Sequence, residues 1–186
     1  MDSKLQIISG IYRGRKLRLP PMARPTQNRA RIALFNMLES GIVDAGGNFC
    51  VWDAFAGSGA FGIECMSRYA GVHAVFTDTA PTSIKTVRDN LAMLGIGNHA
   101  SVVQMDAIMG VDKYGACADL IFVDPPYADG NLGRTFMTRV GRVARGGTIV
   151  IWEQEVGHES QPDECVWDVV RDKRYGRARF LILQKK

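Results

Sequence analysis

The chain has 186 residues, 46% hydrophobic and 23% charged, which suits one globular domain with room for a small appendage. No apolar run approaches the roughly 18 residues a membrane helix needs, and the N-terminus lacks a signal peptide's apolar core, so a cytoplasmic protein with no membrane partner is expected. The four cysteines (Cys50, Cys65, Cys117, Cys165) are scattered without a C-x-x-C pair, which argues against a zinc site or a disulfide framework.

Net charge is +4, unevenly spread. Residues 1–31 hold eight basic side chains (Lys4, Arg13, Arg15, Lys16, Arg18, Arg24, Arg29, Arg31) against Asp2 alone, so this segment carries +7 and the remainder −3. A basic arm on a mildly acidic body suits a polyanion, with nucleic acid the expected partner and a merely solvated arm the plainer alternative.

Residues 4–19 alternate loosely around Gly10 and Gly14 and predict a short β-hairpin that displays arginines. The run PPMARP over 20–25 is a proline-rich connector, dividing the chain into an arm (1–25) and a main domain (26–186). Thr26 fits the N-cap of a helix reaching about Ser40, with Ile32, Leu34, Phe35 and Leu38 at helical spacing. A loop over 41–48 follows.

The pattern then becomes regular. Strands are predicted over 49–55, 73–78, 100–106, 119–124 and 146–154, and helices over 60–69, 81–94 and 131–143. Strand alternating with helix predicts an α/β fold with a parallel sheet and helices on both faces. Two β-rich runs, 165–173 and 177–185, flank Tyr175-Gly176 and predict an antiparallel hairpin at the sheet edge.

Asp53-Ala54-Phe55-Ala56-Gly57-Ser58-Gly59 follows the first of these strands and opens a helix. Glycines there let the backbone approach a ligand, in the crevice beyond the strand ends. The run resembles a nucleotide fingerprint, but in an unusual frame, with an acid ahead of the glycines. An acid repels a pyrophosphate and attracts a cation, so S-adenosylmethionine, with its ammonium and sulfonium, suits the site better than NAD or ATP. Asp78, about 20 residues after the glycine turn, is placed for ribose hydroxyls. Asp106, after the third strand, is placed near an adenine. Each aspartate alone could be a helix cap; the three together with the glycine turn point to a cofactor.

The fourth predicted strand runs into Asp124-Pro125-Pro126-Tyr127. Two prolines stop a strand, and a lone motif of this kind could be no more than a turn. Beside a cofactor crevice it suits a planar amine. The Asp124 carboxylate and the Pro125 carbonyl can accept its N–H bonds and aim its lone pair, while Pro126 stiffens the loop and Tyr127 offers a stacking face. Trp152 and Glu153 either line this pocket or finish the core. Structural roles are expected for His73 and His99, and none of the three histidines, His158 included, is expected to be catalytic.

FAGSG together with DPPY is similar to class I S-adenosylmethionine-dependent methyltransferases acting on amino nitrogens. IISGIYRGRKLRLP and RPTQNRARIALFNML resemble the RsmD family, which methylates N2 of a guanine in bacterial small-subunit (16S) ribosomal RNA. The likeness runs over nearly the whole chain. It implies a Rossmann-like sheet, S-adenosylmethionine as donor with S-adenosylhomocysteine as product, no metal, and ribosomal RNA within the small subunit as partner. A monomer is expected, since nothing in the sequence advertises a partner surface. By position, Asp53, Phe55, Ala56, Gly57, Ser58, Gly59, Asp78 and Asp106 match cofactor contacts. Asp124, Pro125, Pro126 and Tyr127 match the catalytic loop. Arg13, Arg15, Lys16, Arg24, Thr26, Arg29 and Arg31 belong to the RNA-binding arm and first helix. Ala80 and Ile32 depart from the family, which often carries acids there.

An adenine-N6 DNA methyltransferase usually needs a target-recognition domain, for which this chain has almost no spare residues beyond the small arm. A non-catalytic RNA-binding assembly factor would not need every reactive position filled. A protein-glutamine methyltransferase carries Asn where Asp124 stands.

Overall fold

The computed structural model describes residues 5–21, 28–44, 48–126 and 131–186. Five strands, β1 (Phe49–Asp53), β2 (Val72–Asp78), β3 (Ala100–Gln104), β4 (Leu120–Val123) and β5 (Ile149–Glu155), are mutually parallel. β6 (Trp167–Tyr175) and β7 (Ala178–Lys185) form an antiparallel hairpin, and β7 docks antiparallel on β5. The seven strands lie in the order β3-β2-β1-β4-β5-β7-β6. The predicted α/β architecture and its terminal hairpin are both present. The parallel strands read as nearly continuous apolar runs because both their faces are covered.

The helices are α1 (Asn28–Met37), α2 (Ala60–Arg68), α3 (Pro81–Leu94), α4 (Ala107–Gly110) and α5 (Leu132–Val143). α1, α2, α3 and the arm cover one sheet face, around Phe35, Ile63, Phe76 and Ile151. α4 and α5 cover the other, around Trp52, Val123, Phe136 and Trp152. α4 and the π-type turn after it (Val111–Gly115) were not predicted. Asp106 starts α4 by accepting from the Ile108 and Met109 amides at 2.8 and 3.2 Å, which also ends the third strand at Gln104 rather than 106. No helix among the described residues is long and apolar enough to cross a membrane.

The expected N-terminal hairpin is reduced to one antiparallel bridge, Gln6 with Lys16. The reason lies in α2, which takes the amides that a longer ladder would use. Glu64, fully buried, accepts from the Ile8 and Ser9 amides at 2.8 and 2.9 Å and from Arg68 Nε at 2.7 Å. Ser67 Oγ accepts from the Tyr12 amide and donates to the Ser9 carbonyl. A Cβ at Gly10 would stand 1.8 Å from the Ser67 carbonyl oxygen, so this approach admits glycine alone. Leu5, Ile7 and Leu17 of the arm are buried in the same core as α1 and α2.

Removing one partner of a buried charged network leaves the others desolvated and unmatched. Glu64→Ala is therefore expected to cost about 3 kcal/mol or more in denaturant unfolding, with faster hydrogen exchange at the Ile8 and Ser9 amides. Wild-type protection at those amides in the variant would show that the arm docks by other means.

Candidate active site

At the C-terminal edge of the parallel strands lies a cavity of about 380 Å³, within the range typical of small-molecule sites. Loops from β1, β2, β3, β4 and β5 reach it, as do α1, α5, β7 and the arm through Leu19.

The floor is the turn after β1. The Ala54 amide donates to the Phe122 carbonyl and the Ala56 amide to the Thr77 carbonyl, tying the turn to β4 and β2. Gly57 and Gly59 both have positive φ, and a Cβ at Gly57 would meet no protein atom within 4 Å. The backbone there lies open to a ligand. Asp78 Oδ2 accepts from the Gly57 amide at 2.9 Å, and its Oδ1 accepts from the Ala80 amide at 2.8 Å. Asp78 thus shapes the turn and holds the chain that enters α3, where Ala80 itself offers no side-chain cap. Ser58 lines the cavity, and its carbonyl is held by buried Asn90. The same Asn90 brackets Arg18 of the arm, accepting from its amide and donating to its carbonyl.

A third glycine escapes a reading centred on Gly57 and Gly59. Gly62 completes a G-x-G-x-x-G spacing, so the glycine frame is the ordinary one and the correction lies there. A Cβ at Gly62 would stand 2.4 Å from Phe76 Cε1 on β2, the close helix–strand contact that the third glycine of such a motif serves. The sequence carried that signal.

Asp53, at the end of β1, is buried and accepts from the Gly62 amide at 3.1 Å. Burial raises its carboxyl to about 8; the Gly62 hydrogen bond opposes this, while Asp124 and Asp78 add to it. Burial likewise raises Asp124 to about 7. Both groups bind protons in the folded state that the unfolded chain releases near pH 4, so the ligand-free protein loses stability as pH rises from about 4 to about 8. A cation entering the cavity would reverse that penalty.

Asp124, Pro126 and Glu153 line the cavity from β4 and β5, with Phe61, Phe122 and Phe180 as aromatic walls. The Phe61 and Phe122 rings stack at 4.2 Å. Glu153 belongs to the cavity, and Trp152 points to the other face. There Trp152 packs under α5: a Cβ at Gly133 would lie 2.8 Å from Trp152 Nε1 and 3.2 Å from Pro125. Phe55, expected at the cofactor, lines the cavity while packing edge-on against Phe136 at 5.7 Å. His73 contacts Ser101 on β3, and none of the histidines lines the cavity.

The basic residues do not stay together. Arg13, Arg15, Lys16 and Arg29 are exposed. Arg31 is not on that surface: it is 4% exposed, lines the cavity and donates to the Gln6 carbonyl. It shares the inward face of α1 with Leu34 and Phe35, at helical spacing. Arg24, Thr26 and Tyr127 lie outside the described residues.

A sheet of this order, with a glycine turn after β1, acids ending the neighbouring strands and an acid-proline corner after β4, defines a class I methyltransferase. Residues 5–184 match the family described as Conserved hypothetical protein 95. The chain is 36% identical to the ribosomal RNA small subunit methyltransferase D of Escherichia coli K12, over 100% of this chain and 92% of that one. The solved Escherichia coli chain yhhF is 34% identical, covers 98% of each chain and superposes with a TM-score of 0.81. A hypothetical protein of Thermus thermophilus is 25% identical over 97% of this chain and 99% of its own, with a TM-score of 0.77. The chain belongs to the RsmD family, and it is a methyltransferase.

Because α2 sits against Phe76 at Gly62, Gly62→Ala is expected to destabilise by about 1–3 kcal/mol in thermal or denaturant unfolding. Unchanged stability would mean that the ring and helix yield without strain.

Proposed function

We propose that the protein transfers a methyl group from S-adenosylmethionine to the N2 amine of a guanine in small-subunit ribosomal RNA. The observation that carries this reading is the convergence of Asp124 and Pro126 with the Gly57 turn, Asp53, Asp78 and Asp106 on one cavity. The donor's fit rests on the open backbone at Gly57 and on the carboxylates around it. Asp78 and Asp106 retain acceptor capacity for ribose hydroxyls and an adenine amine beyond the amides they already take. Asp53 supplies negative charge toward an ammonium. When bound, S-adenosylmethionine supplies an electrophilic methyl on a positively charged sulfur.

The amine of guanine is a weak nucleophile because its lone pair is spread into the ring. Asp124 and the Pro125 carbonyl accept its two N–H bonds and turn the lone pair toward the methyl. As the N–C bond forms and the S–C bond breaks, positive charge grows on the nitrogen, and one proton must leave it. In this reading the Asp124 carboxylate, raised to about 7 by burial, stabilises that charge and takes the proton. Tyr127 stacks on the base. Escherichia coli methyltransferase D, named for ribosomal RNA of the small subunit, supports the substrate class.

In vitro labelling with methyl-labelled donor, offered naked ribosomal RNA, small subunits and DNA, should yield N2-methylguanine from ribosomal RNA. Asp124→Ala is expected to keep donor binding within about threefold by calorimetry and to lose about 10²-fold or more in turnover. In the wild type, kcat/KM should rise with pH to a plateau through about 7, because Asp124 must be ionised to accept; Asp124→Asn should lose that limb. Near-normal turnover by Asp124→Ala would remove Asp124 from the mechanism.

The arm is the first RNA contact in this reading, and α5 adds a second. Arg134, Thr135, Thr138, Arg139 and Arg142 line one groove of α5, and no acid occurs from 131 to 152. Arg134→Glu with Arg139→Glu should weaken RNA binding and lower the slope of log affinity against log salt by about 2, without changing donor affinity. An unaltered slope would place the RNA elsewhere.

A further inference from the structure

The sheet register sorts two neighbouring residues of β5, Trp152 and Glu153. Val123 pairs with Trp152, and Glu153 pairs with Phe180 of β7. Asp124 follows Val123 just as Glu153 follows Trp152, so Asp124, Glu153 and Phe180 form a row across β4, β5 and β7. All three line the cavity, and Glu153 is 6% exposed. Period-two alternation puts Glu153 on the sheet face of Ile151, toward α1, and puts Trp152 on the face of α5. The cavity therefore offers two carboxylates side by side, one just past β4 and one on the neighbouring β5, with aromatic walls around them.

Guanine presents two donors side by side, N2–H and N1–H. Adenine places a bare ring nitrogen next to its exocyclic amine, and so does cytosine. There a lone pair would face the second carboxylate. Two adjacent acceptors thus match guanine and oppose the other two bases, a discrimination strengthened where water is excluded.

We propose that Glu153 is a specificity-determining residue that accepts the N1–H of the target guanine while Asp124 holds its N2 amine. This rests on the guanine reading above. Glu153 makes and breaks no covalent bond; it sets which base can lie with its amine at Asp124.

The test uses the full chain, methyl-labelled donor and ribosomal RNA substrates carrying guanine or 2-aminopurine at the modified position. 2-Aminopurine keeps the amine on C2 but has a bare N1. The wild type should favour guanine in kcat/KM by about 10²-fold or more, since the analogue leaves a buried acceptor facing a lone pair. Glu153→Gln, whose amide can donate to a bare N1, should bring that ratio within about tenfold while donor binding by calorimetry persists. A purely structural role for Glu153 would lower both rates and leave their ratio alone.

Wild-type discrimination retained in Glu153→Gln overturns the assignment. So does a wild type that methylates 2-aminopurine as fast as guanine, a measurement that needs no variant to fold. If the wild type makes no N2-methylguanine from any ribosomal substrate, the guanine reading fails and Glu153's role falls with it. N2-methylguanine formed with unaltered discrimination in the variant sinks the Glu153 role alone.

Discussion

β1 and β4 lie side by side and parallel, and the site depends on that neighbourhood. The chain winds outward from β1 to β2 and β3, then returns to place β4 and β5 on the other side of β1. Parallel strands share one C-terminal edge, so the loops after them converge, and a crevice opens where the winding reverses. Asp53 and Asp124, far apart in the chain, are brought to one cavity by this crossover. Burial in a poorly solvated space raises both carboxyls, to about 8 at Asp53, where the charge of Asp124 adds to the effect, and to about 7 at Asp124, a standing cost to the folded state. The fold carries that cost where a cationic ligand would relieve it, so the strain in the ligand-free protein and the reading of its function are two views of one arrangement.

Much of this was legible in the sequence because the information is local. Apolar runs bounded by glycines mark the strands, and the Tyr175-Gly176 turn marks the hairpin, whose β7 lies inside the sheet against β5. Asp78, Asp106 and Asp124 were recognisable because each ends a predicted strand, and Asp53 because it stands just ahead of the glycine turn. Gly62 was equally visible, at the third place of its motif, but an acid ahead of the turn disguises the ordinary glycine frame.

The rest is tertiary. Nothing near Glu64 in the chain announces that its carboxylate will gather two arm amides, and hence that the N-terminal hairpin will shrink to one bridge. Arg31 reads as one more basic residue until α1 turns it inward beside Leu34. Trp152 and Glu153 could not be told apart by composition. Alternation on a strand buried on both faces separates them, and which face holds the cavity depends on helices elsewhere in the chain.

Asn90 joins two parts that a reading by domains would separate. Its amide donates to the carbonyls of Arg18 and Ser58, and its oxygen accepts from the Arg18 amide. Deamidation there would turn two donors into acceptors aimed at two carbonyl oxygens, at a side chain closed off from solvent. The arm and the glycine turn would then let go together. For this enzyme, chemical ageing at a single interior amide would loosen the arm and the cavity floor in one event, with every side chain that lines the cavity still intact.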